Sequence, residues 1–148
     1  LTERLGNYAM SVEGFSGGAT PNFPDKKYKD DVMHGDLFAN KRAQWYWLLR
    51  DRFENTYNAI VKGEYIDPQE MISLDSTIDG LVQLKSELVR VPRKRTANNT
   101  FVQILSKPEM KTRKIPSPNL SDAVMMAFAN KEIKHKSKHD DWGSNING

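Results

Sequence analysis

The chain contains no cysteine, so it can form neither a disulfide nor a thiolate zinc site, a composition that fits a reducing cytoplasm. It has no apolar run of about 18 residues, so no hydrophobic membrane-spanning helix is expected in it, and its first residues do not read as a signal peptide. Glycine gathers in GFSGGATP, residues 14–21, but without the G-x-x-x-x-G-K-[ST] order and following helix of a phosphate-cradling loop. With no other nucleoside-triphosphate motif, the chain does not read as an ATPase. Histidine is scarce too. His135 and His139 have the i, i+4 spacing of metal ligands, yet they sit among lysines that would repel a cation, and they read as part of a solvated tail. His34 falls in a loop with no evident partner. With no base near a reactive serine, nucleophilic catalysis has nothing to stand on.

The 148 residues are 38% hydrophobic and 28% charged, as expected of one globular domain or part of a larger one. The chain opens on LTERLG, which reads as the last turn of a helix ending at Gly6, so the natural polypeptide is expected to continue upstream. A net charge of +3 hides an asymmetry. Residues 90–138 hold 12 Lys/Arg against three acids, a net +9, and the rest holds 10 against 16, a net −6. A polyanion would bind the basic half, although a solvated charged surface is the plainer reading of a basic run taken alone.

Residues 9–15, AMSVEGF, alternate as a short strand does, and a long loop rich in Gly, Pro and charge follows. From Leu37 to about Val61 the spacing predicts a helix with Trp45, Leu48, Leu49, Phe53, Tyr57 and Ile60 as its apolar stripe. A second helix is expected over Ser76–Val89, burying Ile78, Leu81, Leu84 and Leu88 and stopped by Pro92. A turn at Ala97-Asn98-Asn99 leads into a strand over Phe101–Leu105, with basic residues on both sides. Beyond Asn130 lies a polar, basic tail over 131–148.

The stretch IPSPNLSDAVMMAFA, residues 115–129, carries the sharpest signal. Ser117 reads as an N-cap and Pro118 as the first helical residue. Every residue from Ala123 to Ala129 is apolar, so the helix is expected to be buried on all sides. Asp122 stands beside that sealed face, where a carboxylate costs several kcal/mol unless protonated, hydrogen-bonded or next to a cation. It reads either as an acid held by the helix dipole or as a ligand of a divalent cation.

Two segments together carry a family resemblance. LFANKRAQWYWLLRDRF, residues 37–53, resembles the Asn-Lys-Arg-Ala helix, with its following tryptophan, of large terminase subunits from tailed phages. SPNLSDAVMMAF, residues 117–128, is similar to that family's closing Ser-Pro-x-x-x-Asp-Ala helix. The resemblance covers residues 5–130 and implies part of the C-terminal nuclease domain of a DNA-packaging motor, an α/β fold like ribonuclease H with a mixed sheet flanked by helices, incomplete at its N-terminus. It implies metal-dependent cleavage of concatemeric double-stranded DNA with Mg²⁺ or Mn²⁺ in the complete domain, a portal and a small terminase subunit as further partners, no membrane, and action in the bacterial host's cytoplasm.

Asp122 matches the closing-helix acid, catalytic and metal-binding. Two further acids of the family are expected upstream of Leu1, and Ser121 stands where many relatives have another, so the isolated chain is expected to be inactive. DNA contacts are assigned to Arg93, Lys94, Arg95, Lys107, Lys111 and Arg113, all to phosphate and independent of sequence. The competing reading is a non-catalytic nucleic-acid-binding or assembly module in which Asp122 merely caps or hydrogen-bonds.

Overall fold

The computed structural model describes residues 14–95 and 101–129. The helix end at Gly6, most of the strand expected over 9–15, the turn at 97–99 and the tail with His135 and His139 lie outside them. Helices dominate: α1, His34–Leu37; α2, Lys41–Lys62; α3, Leu81–Arg90; α4, Lys107–Thr112; and α5, Asn119–Phe128. Short 3₁₀ turns at Lys29–Asp31 and Pro68–Glu70 punctuate the connections.

The central helix α2 begins later than its periodicity suggests, because Asn40 takes an extended conformation and caps it, its side chain accepting from the Ala43 N–H at 2.9 Å. At the other end Gly63, at φ +70°, supplies the left-handed turn that ends the helix. Trp45 and Leu49 are buried as the stripe predicts, but Tyr57 and Ile60 are 56% and 77% exposed. A geometric mismatch accounts for this. Helix α2 has 22 residues and α5, which packs against it, has 10, so at about 1.5 Å per residue the last turns of α2 outrun their partner.

The second predicted helix is shorter than expected, starting at Leu81 rather than Ser76, and Ile78 in the preceding turn is 40% exposed. Leu84 is its buried anchor, and the helix ends two residues before Pro92. The predicted strand over Phe101–Leu105 forms only isolated bridges: Val102 pairs in parallel with Phe38, and Ile104 pairs antiparallel with Arg93. Among the described residues these bridges, with one between Lys27 and Met33, stand in place of the expected mixed sheet. The Phe38 pairing is short because Phe38 lies between the end of α1 at Leu37 and the start of α2 at Lys41.

Residues 107–112, read from sequence as a basic flank, fold instead as α4. A reciprocal cap explains it: Ser106 accepts from the Glu109 N–H while the Glu109 carboxylate accepts from the Ser106 N–H.

The closing helix begins one residue later than predicted, with Pro118 as its N-cap. It is also not sealed all round. Ser121, Met125 and Ala129 recur every fourth residue on one buried face, which Asp122 joins, whereas Ala123, Met126 and Ala127 are exposed. That buried face joins Trp45, Tyr46, Leu49 and Ile72 in the main core. Burying a side chain such as Met125, 1% exposed, contributes about 1.5–3 kcal/mol.

Candidate active site around Asp122

Asp122 is 7% exposed and is held from two sides. Its Oδ1 accepts from the Tyr46 hydroxyl at 2.6 Å and from Arg42 Nη2 at 3.2 Å. Its Oδ2 faces Lys107 Nζ at 3.2 Å. Burial alone would push the Asp122 carboxyl up, but the Tyr46 hydrogen bond and the Arg42 and Lys107 charges outweigh it and hold the group below its usual range. Asp122 is therefore an ionised carboxylate. The Tyr46 phenol moves the other way, raised by burial and by the carboxylate it serves, so it stays a proton donor.

Local sequence sets each of these groups. Arg42 and Tyr46 are four apart on α2 and share a face, with the guanidinium stacked 5.1 Å from the Tyr46 ring. Arg42 also donates from Nη1 to the Leu105 carbonyl at 2.8 Å, which ties α2 to the segment leading into α4. Helix α5 is fixed from outside, because Pro118 has no side-chain donor or acceptor to cap with. Glu87 of α3 does so instead, its Oε2 accepting from the Leu120 and Ser121 N–H groups at 2.7 and 3.0 Å. Ser121 is fully buried with its hydroxyl 3.0 Å from that of Tyr46.

The glycine-bearing loop has a structural task. The Ala19 and Gly17 carbonyls accept from the Lys41 and Arg42 N–H groups at 2.8 and 2.9 Å. With Asn40 serving Ala43 and Gln44, the first amides of α2 are all engaged, and none is left for a phosphate. A Cβ on Gly17 would lie 3.2 Å from the Arg42 Cβ, so a larger residue here would have to push the start of the Arg42 side chain by a few tenths of an ångström. The loop, α2, α4 and α5 enclose a cleft of about 550 Å³ with Asp122, Arg42 and Lys107 in its lining.

Of the basic residues assigned to DNA, Lys107 enters this cleft and Lys94 is bound to Glu109 at 2.6 Å. Arg93 stacks on Trp47 at 5.3 Å, and Arg95, Lys111 and Arg113 are exposed. Lys111 shares a groove of about 410 Å³ with Lys107 and Lys114. The sequence reading missed Arg42, Tyr46 and Glu87. A charged residue four positions from an aromatic on one helix face was the available signal for the first two. His34 is corrected: it is buried and does have a partner, its Nδ1 lying 2.8 Å from Gln44 Nε2.

No group of three acids or histidines among the described residues could hold a metal ion. Asp122 is a single carboxylate already facing two cations, so these residues alone do not fit a divalent metal pair.

Residues 9–130 match the family described as the terminase RNase H-like domain. The chain belongs to that family. It is 41% identical to the nuclease domain of the large terminase subunit gp2 of bacterial virus Sf6, over 80% of this chain and 53% of that one, with a TM-score of 0.72. A mutant of the Sf6 terminase domain with manganese and beta-thujaplicinol aligns over the same shares at 39% identity and a TM-score of 0.71. A mutant with calcium aligns over 76% of this chain and 50% of that one, at 41% identity and a TM-score of 0.67. The chain thus spans about half the length of the solved terminase domains it matches. No curated protein matches it.

Proposed function

We propose that this terminase chain serves phage DNA packaging as part of a nuclease domain that cuts double-stranded DNA, with Asp122 as the acid it contributes to the active site. The observation that carries the reading is an ionised carboxylate, nearly buried yet lining an open cleft whose other walls bear Arg42 and Lys107. Arg42 and Tyr46 orient Asp122 and keep it charged. Lys107, whose side chain is 59% exposed, is placed between the carboxylate and the groove it shares with Lys111 and Lys114, where a phosphodiester backbone would meet successive cations. Lys111, Arg113, Arg93 and Arg95 extend that surface, and Lys94 joins it only by leaving Glu109.

Mg²⁺ or Mn²⁺ in the complete domain would supply metal-assisted phosphodiester hydrolysis. Further acids from outside the described residues would have to join Asp122 to hold it. Residues 1–130 would form the nuclease part and 131–148 a basic tail. The portal and small terminase subunit are the partners of the complete motor, acting in the cytoplasm of the bacterial host. Among the described residues no helix is long and apolar enough to cross a membrane. A mixed ribonuclease H-like sheet belongs to the same proposal.

Plasmid cleavage in Mn²⁺ tests the assignment. The 148-residue chain should cut very slowly. A version extended to the full span of the matched domains should cut efficiently and lose this on Asp122→Ala, and cleavage that survives the substitution overturns the role given to Asp122. The cation pair on Asp122 favours a second reading, a DNA-binding or assembly module, which gains if the extended version binds DNA but never cuts.

A further inference from the structure

The groove of about 410 Å³ runs from Lys107, which it shares with the Asp122 cleft, past Lys111 and Lys114 to Ser117. Met110, Ile115 and Pro116 give it apolar surface, and none of the residues lining it is acidic. The three lysines are spaced i, i+4, i+7, which stacks side chains along one helix face and here carries them past the end of α4 at Thr112. Like charges at that spacing repel one another. Lys107 is answered by Asp122 at 3.2 Å, but Lys111 and Lys114 are exposed and have no ion-pair partner among the described residues.

Lys114 carries a second cost, in its backbone. Helix α4 ends on a pair of hydrogen bonds, from the Ile115 N–H to the Met110 carbonyl at 2.9 Å and from the Lys114 N–H to the Lys111 carbonyl at 3.0 Å. That ending puts the residue after the C-cap into left-handed backbone, where glycine is usual because a Cβ is strained there. Here the residue is Lys114, at φ +56°. A cation near a helix C-terminus is favoured by the dipole, but Lys111 already stands in the last turn of this six-residue helix. The fold therefore holds a lysine where it wants a glycine, with its ammonium bound by none of the described residues, and strain kept without a structural return marks functional positions.

We infer that Lys114, together with Lys111, holds the sugar-phosphate backbone of a DNA strand where that strand runs out of the Asp122 cleft. The groove's chemistry selects this occupant: sugars lie on the apolar surface of Met110, Ile115 and Pro116, and phosphates meet the ammonium groups and relieve their mutual repulsion. Such contacts carry no sequence preference. Because Lys107 belongs to both cavities, the strand in the groove is continuous with the one that reaches Asp122, and Lys114 acts as a positioning residue for it. That continuity rests on the nuclease reading above, whereas the binding itself does not.

Lys114→Gly removes the ammonium and relaxes the backbone, so it should move two measurements in opposite directions. The urea midpoint of the 148-residue chain should rise. Its affinity for a short DNA duplex, read by fluorescence anisotropy, should fall about tenfold, the worth of one charge-assisted hydrogen bond, and the slope of log affinity against log salt should drop by roughly 0.9. Lys114→Gln, which leaves the backbone strained, should lose the same affinity, and Lys114→Arg should keep it without the gain in midpoint. Lys62→Gln changes the net charge equally at the last residue of α2, about 30 Å along that helix from Arg42 and beyond screened reach, and should bind like wild type. Undiminished binding by Lys114→Gly, a midpoint that falls, an equal loss in Lys62→Gln, or no binding by the wild-type chain at low salt overturns the inference. The nuclease reading fails separately: cleavage by the extended version that survives Asp122→Ala, with Lys114→Gly still binding weakly, removes the catalytic assignment and leaves the groove.

Discussion

The Tyr46 hydroxyl donates to Asp122 Oδ1 at 2.6 Å across 76 positions of sequence, and both groups are buried. Phenylalanine at position 46 keeps the ring in the core but removes the donor. Tyr46→Phe should therefore destabilise the protein by about 1–2 kcal/mol in urea unfolding at pH 7 and raise the Asp122 pKa. An unchanged midpoint would mean that Arg42 and Lys107 suffice for Asp122.

Glu87 holds the start of α5 through two backbone N–H groups. Removing this cap with Glu87→Ala should cost about 1–2 kcal/mol. Glu87→Gln retains an acceptor and loses only the charge facing the helix dipole, so its cost should stay near roughly 0.3–1 kcal/mol. Equal losses in thermal melts of the two variants would show that charge, not hydrogen bonding, secures the helix.

Glu109 joins Lys94 and the Ser106 cap, and the Lys94 hydrogen bond followed by those of Ser106 lowers its pKa from 4.5 to about 2. A carboxylate depressed in the folded state adds stability that is full above pH 4.5 and disappears as pH falls toward about 2. Glu109→Gln should therefore flatten the fall in stability across that window, as read from denaturant midpoints in steps of pH. Parallel curves for the two proteins would refute the linkage.

Exposure separates the basic residues in their expected effect on DNA. Replacing Lys111 and Arg113 with Gln should reduce the slope of log affinity against log salt by roughly 0.9 for each phosphate no longer neutralised. Lys94→Gln should change it less, since Lys94 is already paired with Glu109. Fluorescence anisotropy with duplexes of two unrelated sequences checks both expectations, and a larger effect at Lys94 would show that DNA breaks that ion pair.

Local patterns were readable from sequence and long-range partners were not. The apolar spacing around Trp45 and Leu49 placed the central helix, and an acid beside the run from Ala123 to Ala129 marked Asp122 before any fold was known. Tyr57 and Ile60 have the same spacing yet are exposed, because periodicity says nothing about how far a packing partner extends. Helix α4 was legible in Ser106-x-x-Glu109, but the lysines around it drew attention to charge rather than capping. Arg42 and Glu87 reach Asp122 and its helix from 80 and 33 positions away, and no local rule encodes such pairings.

The 80-residue span between Arg42 and Asp122 also sets a timetable. Helix α2 can form as soon as its residues leave the ribosome, but Arg42 must wait for α5 to be synthesised before its carboxylate partner exists. At about 5–20 residues per second that interval is roughly 4–16 s, and loop closure follows it. During translation the nascent chain therefore carries Arg42 without its Asp122 partner, and the cleft that the two line takes shape only once α5 has been made.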